Sequence, residues 1–348
     1  MNVIAFDIGS EVSVACALRS NGKFILEQRV ETRVPTLRAL VRQIPRPRMV
    51  VFEECSQAAW LWSELQGDAD DVFVCDPRKD SGLRGVKKSD KHDARSQAER
   101  ALSGSLHRVW HGGEDLQKLR YAVQHYQSMT EQMIRLKNQF KSVFHCRGIR
   151  TGAGAYSPKR RKELISLLPP GILRLRAESV GILIDSTSKH QAFALREMVK
   201  SARQHKCYAA LRTVPAVGPI LCAFILSAIG DPERFRTRRQ LWCYSGLAVR
   251  TFETGEYQFT PSGFRRKRDF IQTRGLVRRF NSTLKFSFKH AAKTLSRFQW
   301  KGYYAKVLKN SKNRNNAQLT LARKHAAIVL QVMKQKEPYD IKTAFKQP

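Results

Sequence analysis

Acidic residues are scarce in this chain. Twenty-nine Asp and Glu stand against 63 Lys and Arg, a formal net charge of +34 over 348 residues. Such an excess opposes compact folding by self-repulsion and draws in any polyanion, and a phosphate backbone is the simplest reason to keep it. The charge points to nucleic acid, the ribosome included, and by itself says nothing about catalysis. Long apolar runs are also missing. The strongest, residues 220–229, is too short to cross a bilayer, so no membrane partner is expected. Seven cysteines at 16, 55, 75, 146, 207, 222 and 243 form no close pair, which excludes a zinc spacing and a disulfide framework. Each reads as a small apolar residue in a reducing compartment. The N-terminus has neither the basic start nor the uninterrupted apolar stretch of a signal peptide, so a cytoplasmic, nucleoid-associated protein is expected. No fixed-period repeat and no helix with a clear base-reading pattern stands out.

What is present is enough apolar sequence for folded domains, 42% of the chain. Asn2 to Ile8 reads as a buried strand, Val12 to Cys16 alternates as a second, and Asn21-Gly22 is a hairpin turn into a third at Phe24 to Val30. Helical spacing over 36–44, a strand at Met49 to Phe52, a helix at Ala58 to Leu65 and a strand at Val72 to Cys75 follow. A meander that passes into helix–strand alternation predicts an α/β mixed sheet covered by helices over residues 1–105. Residues 106–205 change character. From Asp115 to Phe144 apolar residues recur in steps of three and four, which predicts a long amphipathic helix or coiled-coil arm, with shorter helices at Ile172 to Ile184 and Gln191 to Ala209. Residues 206–340 form a third, mostly helical region. There Val214-Pro215-Ala216-Val217-Gly218-Pro219 precedes an apolar helix, and helices are expected again at Leu284 to Leu295 and Ala317 to Met333.

Four carboxylates carry the chemistry. Asp7 ends the first strand, and Glu53 ends the strand Val50-Val51-Phe52 in the same relation. Asp90 and Asp93 open a helix in Lys88-Ser89-Asp90-Lys91-His92-Asp93-Ala94, three apart and therefore on one face. Glu54 competes with Glu53, since a shift of one residue turns a strand side chain to the other face. Four like charges brought together would repel and take up protons. Two Mg²⁺ ions, with Mn²⁺ as a substitute, resolve that conflict, because hard dications want oxygen ligands and share them with substrate phosphate. Two such ions about 3.5–4 Å apart activate a nucleophile and stabilise the leaving oxygen of a phosphodiester. Taken singly, each acid also reads as a turn or helix cap. His92 has no partner histidine nearby in sequence and reads as a surface residue.

Basic residues cluster at Arg265, Arg266, Lys267 and Arg268, followed by Arg274, Arg278 and Arg279, which suit phosphate contacts that position a duplex without reading its bases. The Pro215 to Pro219 run, with Gly218 before a helix, fits a helix-hairpin-helix turn whose backbone N–H groups receive a phosphate; a tight turn between packed helices would look the same.

Taken together, these segments make the chain similar to the DEDD-type insertion-sequence transposases, which join a ribonuclease-H-like, RuvC-like N-domain to a serine-containing C-domain. Asp7 in FDIGS matches the family's first acid, Glu53 in VFEECS its second, and Asp90 and Asp93 in KKSDKHDA its closing pair; LRTVPAVGPILCAFILSAIGDPERFRTRRQLWCYSGLAV matches the C-domain and ARKHAAIVLQVM its closing helix. The resemblance spans nearly the whole chain. It implies strand cleavage and exchange of an insertion element's DNA by a serine nucleophile assisted by the acidic metal site. It further implies guidance by a structured noncoding RNA and assembly as a homo-dimer or homo-tetramer. Arg135 and Lys137 on the long helix are then candidates to face that RNA. One departure matters: the family's serine falls on Thr254, in Glu253-Thr254-Gly255, with Ser262 and Ser245 as substitutes. A threonine hydroxyl is a competent nucleophile, though its methyl crowds an in-line attack. A junction resolvase using the four acids alone, and a decayed transposase that only binds nucleic acid, are the alternatives.

Overall fold

The computed structural model describes residues 1–77, 90–253, 257–266 and 271–341, with the side chains of 90–92, 251–253, 257–258, 265–266 and 271–274 outside that description. Two compact units emerge, residues 1–117 and 118–348.

The first unit is built on five strands: β1 (Asn2–Asp7), β2 (Val12–Leu18), β3 (Phe24–Glu31), β4 (Arg48–Glu53) and β5 (Asp71–Cys75), in the spatial order β3-β2-β1-β4-β5. β1, β2 and β3 pair antiparallel as a meander, whereas β4 and β5 run parallel to β1 after helical crossovers. This is the mixed sheet of a ribonuclease-H-like domain. The period-2 alternation of strand side chains divides the core between two faces. Ile4, Phe6, Val50 and Phe52 pack with α1 (Val34–Gln43) and α2 (Ala58–Leu65) on one face. Val3, Ala5, Val51 and Cys75 pack on the other against Ala94 and Ala98 of α3 (Asp90–Leu102). Small residues on α3 let it lie close to the sheet. Beneath α2, the buried Arg48 guanidinium donates to the carbonyls of Asp68 (2.8 Å) and Ile44 (2.6 Å), so the charge is spent on backbone oxygens.

The second unit takes in α4 (Glu114–His145), a helix of 32 residues, from Lys118 on, followed by α5 (Pro158–Ser166) and α6 (Ile172–Arg203), also of 32 residues. The predicted break inside α6 does not occur. Its first half packs through Ala177, Val180 and Ile184 with Phe140 and Phe144 of α4, and its far end packs through Met198 and Ala202 into a second core. The polar stretch between them stays helical because both ends are anchored and a helix satisfies its own backbone.

That second core surrounds α8 (Pro219–Ile229), buried from Leu221 to Ile229, with α7 (Tyr208–Arg212), α9 (Arg238–Tyr244), α10 (Ser282–Arg297), α11 (Lys301–Lys309) and α12 (Arg314–Gln335) around it. Between α9 and α10 the chain forms two small antiparallel ribbons. One pairs β6 (Val249–Glu253) with β9 (Ile271–Leu276), the other β7 (Tyr257–Thr260) with β8 (Gly263–Arg266). Among the described residues no helix is long and apolar enough to cross a membrane.

Candidate active site

β1 and β4 are hydrogen-bonded neighbours with Phe6 opposite Phe52, so Asp7 and Glu53 leave the sheet side by side. Their parity decides which way they face. Ala5 and Val51 point toward α3, and two residues further on Asp7 and Glu53 follow them. Glu54 has the opposite parity. Its carboxylate lies 2.8 Å from Nε2 of His111, whose buried ring stacks on Trp62, so it is engaged on the α2 side of the sheet. Glu53 and Glu54 therefore face opposite sides of the sheet.

The turn after Asp7 is shaped by Gly9. A Cβ at this position would sit 2.1 Å from the Val12 carbonyl oxygen, a collision with backbone that no side-chain movement relieves. The turn is closed by Thr32, whose hydroxyl donates to the Gly9 carbonyl at 3.0 Å and lies 2.7 Å from the Ser13 hydroxyl. FDIGS is thus a strand end followed by a turn that only glycine permits.

α3 supplies the third element. Its backbone begins at Asp90, and Asp93 is exposed one turn before the buried Gln97. In the orientation that satisfies both neighbours, the Gln97 amide nitrogen donates to the Phe6 carbonyl at 3.2 Å and its oxygen accepts from the Glu53 N–H at 3.1 Å. The amide also lies 3.2 Å from the Cys75 sulfur. One side chain of α3 therefore ties together the two strand ends that carry Asp7 and Glu53. Gln97 was not expected at these strand ends from the sequence. Its signal was a polar residue between Ala94 and Ala98 on a face otherwise made of alanine.

The donor set offered by Asp7, Glu53 and Asp93 is all carboxylate oxygen, which suits a hard divalent cation better than a soft one. Among the described residues no three His, Cys, Asp or Glu side chains gather closely enough to hold a metal ion. The Asp90 and His92 side chains lie outside the described residues. Burial pushes the nearby Cys55 thiol up, with Glu54 and Asp7 adding to the rise, so it is a poor thiolate ligand or nucleophile.

The hydroxyl candidates belong to the second unit. Thr254 lies outside the described residues, just past β6. Ser262 sits in the two-residue turn between β7 and β8, 3.2 Å from the Thr260 hydroxyl, which itself donates to the Gly263 carbonyl at 2.7 Å. Ser245 is fully buried at the end of α9 and donates to the Leu241 carbonyl at 2.7 Å, which leaves it no access to a phosphodiester.

Of the basic candidates, Arg265 and Arg266 end β8 and Arg274 lies in β9, their side chains undescribed; Lys267 and Arg268 lie outside the described residues. Arg278 and Arg279 are exposed ahead of α10, and Arg135 is exposed on α4. Lys137 instead places its ammonium 5.2 Å over the ring of Tyr156. Gly218 caps α8 at the end of a turn that is held from two sides. Ala216 takes the left-handed conformation at φ 63°, Arg212 donates to the Val217 carbonyl, and the buried His325 donates from Nε2 to the Pro215 carbonyl at 3.0 Å. Burial lowers the His325 pKa to about 4, so the ring is neutral and its role is to brace the turn.

A cationic cavity of about 580 Å³ was not foreseen. Lys285 and Lys289, one turn apart on α10, line it together with Asn315, Asn316 and Arg323 of α12 and with Leu247 and Leu276. No carboxylate is among its described lining residues. Burial, and then Lys289, lower the Lys285 pKa, and burial lowers that of Arg323. An anion entering this cavity would meet three cationic side chains and no carboxylate among the described lining residues.

Comparison with known proteins places the chain among transposases. A family model for DEDD-type transposases of the IS110 group, described as "Transposase", matches residues 4–145, and "Transposase IS116/IS110/IS902 family" matches residues 208–305. Together the two stretches cover more than half of the chain. The transposase for insertion sequence element IS1111A of Coxiella burnetii is 22% identical over 359 residues, covering 97% of this chain and 91% of that protein. The transposase for insertion sequence element IS1328 of Yersinia enterocolitica is 22% identical over 218 residues, covering 60% and 63% respectively.

Proposed function

The chain belongs to the IS110/IS1111 family of DEDD-type transposases, enzymes that act on DNA, and from that membership and the geometry we propose that it cleaves and exchanges DNA strands at a Mg²⁺ site formed by Asp7, Glu53, Asp90 and Asp93. The observation that carries the reading is the pair of acids on adjacent parallel strand ends, on the face covered by the helix that bears Asp93. Two Mg²⁺ ions, or Mn²⁺ in their place, would supply activation of the attacking oxygen and stabilisation of the leaving one. The protein's own contribution is position. Gly9 sets the exit of the chain after Asp7, Gln97 locks the two strand ends together, and the Glu54–His111 contact keeps the neighbouring acid on the other face.

The nucleophile in this reading is a hydroxyl of the C-terminal domain. Thr254 takes the position of the family's serine. Ser262 is the alternative, although its hydroxyl is already engaged by Thr260 in the hairpin turn. The cavity of Lys285, Lys289 and Arg323 adds a phosphate-contact surface to Arg278 and Arg279. Guidance by a structured noncoding RNA follows from the family resemblance, and no clear base-reading pattern in the sequence speaks against it. Assembly as a homo-dimer or homo-tetramer is supported by α6, which exposes Ile172 at 76%, Leu175 at 57% and Ile182 at 69% to solvent.

The test incubates the full chain with Mg²⁺, DNA bearing the ends of its element and the RNA flanking it, then traps protein–DNA adducts and maps them. An adduct at Thr254 that disappears in Thr254→Ala is expected. Cleavage that survives Thr254→Ala and Ser262→Ala together would assign the chemistry to the acids alone.

A further inference from the structure

The β7–β8 hairpin carries an arrangement that a stable ribbon has no need of. Phe259 and Phe264 are direct cross-strand partners, 73% and 74% exposed, with their rings edge to face at 5.4 Å. Single exposed hydrophobic residues are ordinary, but two aromatic rings held together on one face of a two-stranded ribbon form a preformed aromatic patch, one ring set on edge against the other. The ribbon holds them in place. Its turn is the two residues Pro261 and Ser262, closed by Gly263 at φ +107°, a conformation rare for residues with a side chain, and by the Thr260 hydroxyl on the Gly263 carbonyl. The chain continues from Phe264 directly into Arg265, Arg266, Lys267 and Arg268. Aromatic rings beside consecutive cations are the combination that binds a single strand, the rings stacking on bases and the charges taking the phosphates.

We propose that the β7–β8 hairpin is a base-stacking finger: Phe259 and Phe264 take an unpaired nucleobase, on a ribbon whose sequence runs on into basic residues of the kind that suit adjoining phosphates. Every nucleobase has a π-face, so the finger is tolerant of sequence and needs only an unpaired nucleotide, which strand exchange must expose. The same tip carries Ser262, so a stacked nucleotide would be held beside one of the two candidate hydroxyls. A second copy of this chain is a poorer occupant, because the basic run would meet its own like charge on a protein of +34. The proposal rests on the nucleic-acid reading above and adds its chemistry at this element.

The experiment measures binding of the full chain to short single strands by anisotropy, with 2-aminopurine at a central position to report stacking. DNA and RNA versions distinguish the two sources of an unpaired base, and each strand is paired with a counterpart lacking that base. The wild type is expected to quench 2-aminopurine and to lose about fivefold or more in affinity when the base is removed. Phe259→Ala with Phe264→Ala should bind as weakly as the wild type binds the abasic strand and be indifferent to the missing base, with the salt slope unchanged because no charge is lost. Phe259→Trp with Phe264→Trp should retain both quenching and base dependence. Leu at both positions should behave like Ala, since it is apolar without a π-face. Salt-dependent binding by the wild type with no base dependence would overturn the finger and leave the transposase reading standing; absence of any nucleic-acid binding would sink both. An Ala or Leu variant with wild-type affinity, or one altered only in sedimentation, would also overturn it.

Discussion

Asp7 and Glu53 lie at the C-terminal ends of neighbouring strands, and their value depends on small neighbours that hold them there. Gly9→Ala should open the β1–β2 turn against the Val12 carbonyl and reduce strand cleavage at least tenfold, more than its effect on thermal stability would suggest; unchanged cleavage rates would remove Gly9 from the account. Gln97→Leu should leave the Phe6 carbonyl and Glu53 N–H without that partner, costing about 1–3 kcal/mol for the buried groups and weakening metal binding. Gln97→Glu tests the same contacts with an added negative charge. Glu54→Gln, by contrast, should cleave at close to the wild-type rate, whereas Glu53→Gln should be inactive though folded, and circular dichroism beside a cleavage assay separates the two. The placement of these acids at two strand ends and a helix start was readable from the sequence, because Asp-x-Gly after an apolar strand and two Asp at the start of a helix are local patterns. The choice between Glu53 and Glu54 was not, since parity acquires meaning only once α3 is known to cover the face of Ala5 and Val51. Gln97 was hidden for a related reason: its partners are backbone atoms distant in sequence, which leave no trace in composition.

At the scale of elements, the turn before α8 is braced by a histidine whose environment makes stability depend on pH. His325 is fully buried between Phe288 and Trp300, with its Nδ1 unpartnered and its pKa lowered to about 4 from an ordinary 6.5. The folded form therefore binds the proton less readily than the unfolded one. The stabilisation is complete above about pH 6.5 and is lost as pH falls toward 4, by on the order of 3 kcal/mol. His325→Gln, which can still donate to the Pro215 carbonyl, should flatten that part of the profile when denaturant midpoints are followed between pH 7 and 4; an unchanged slope would place the acid sensitivity elsewhere. Element periodicity was the most legible feature of the chain. α4 was expected from Asp115 to Phe144 and runs from Glu114–His145, because its apolar steps are regular along its length. α6 was read as two helices because Asp185 to His190 offers no apolar stripe, and only packing at both ends reveals the continuity.

For the whole molecule, the charge of +34 must be neutralised by a partner, and the account assigns that role to phosphate. DNA affinity should fall steeply with salt, log K declining linearly with log[salt], and replacing Lys285 and Lys289 by Gln should reduce the slope by about 2 for a duplex. A slope unaffected by the double replacement would take the cavity off the phosphate path. Net charge was visible at once from composition; the cavity was not, since its cations come from helices separated in sequence and meet only after α10 and α12 pack.

The most direct test of the metal site is Mn²⁺ binding to the full chain followed by electron paramagnetic resonance, in the wild type and in Asp7→Asn, Glu53→Gln, Asp90→Asn and Asp93→Asn. The account predicts tight binding by the wild type and a loss of at least tenfold in affinity in each variant, with the fold retained. Binding that is unchanged in two of the four, or no binding by the wild type in the presence of DNA, would contradict it.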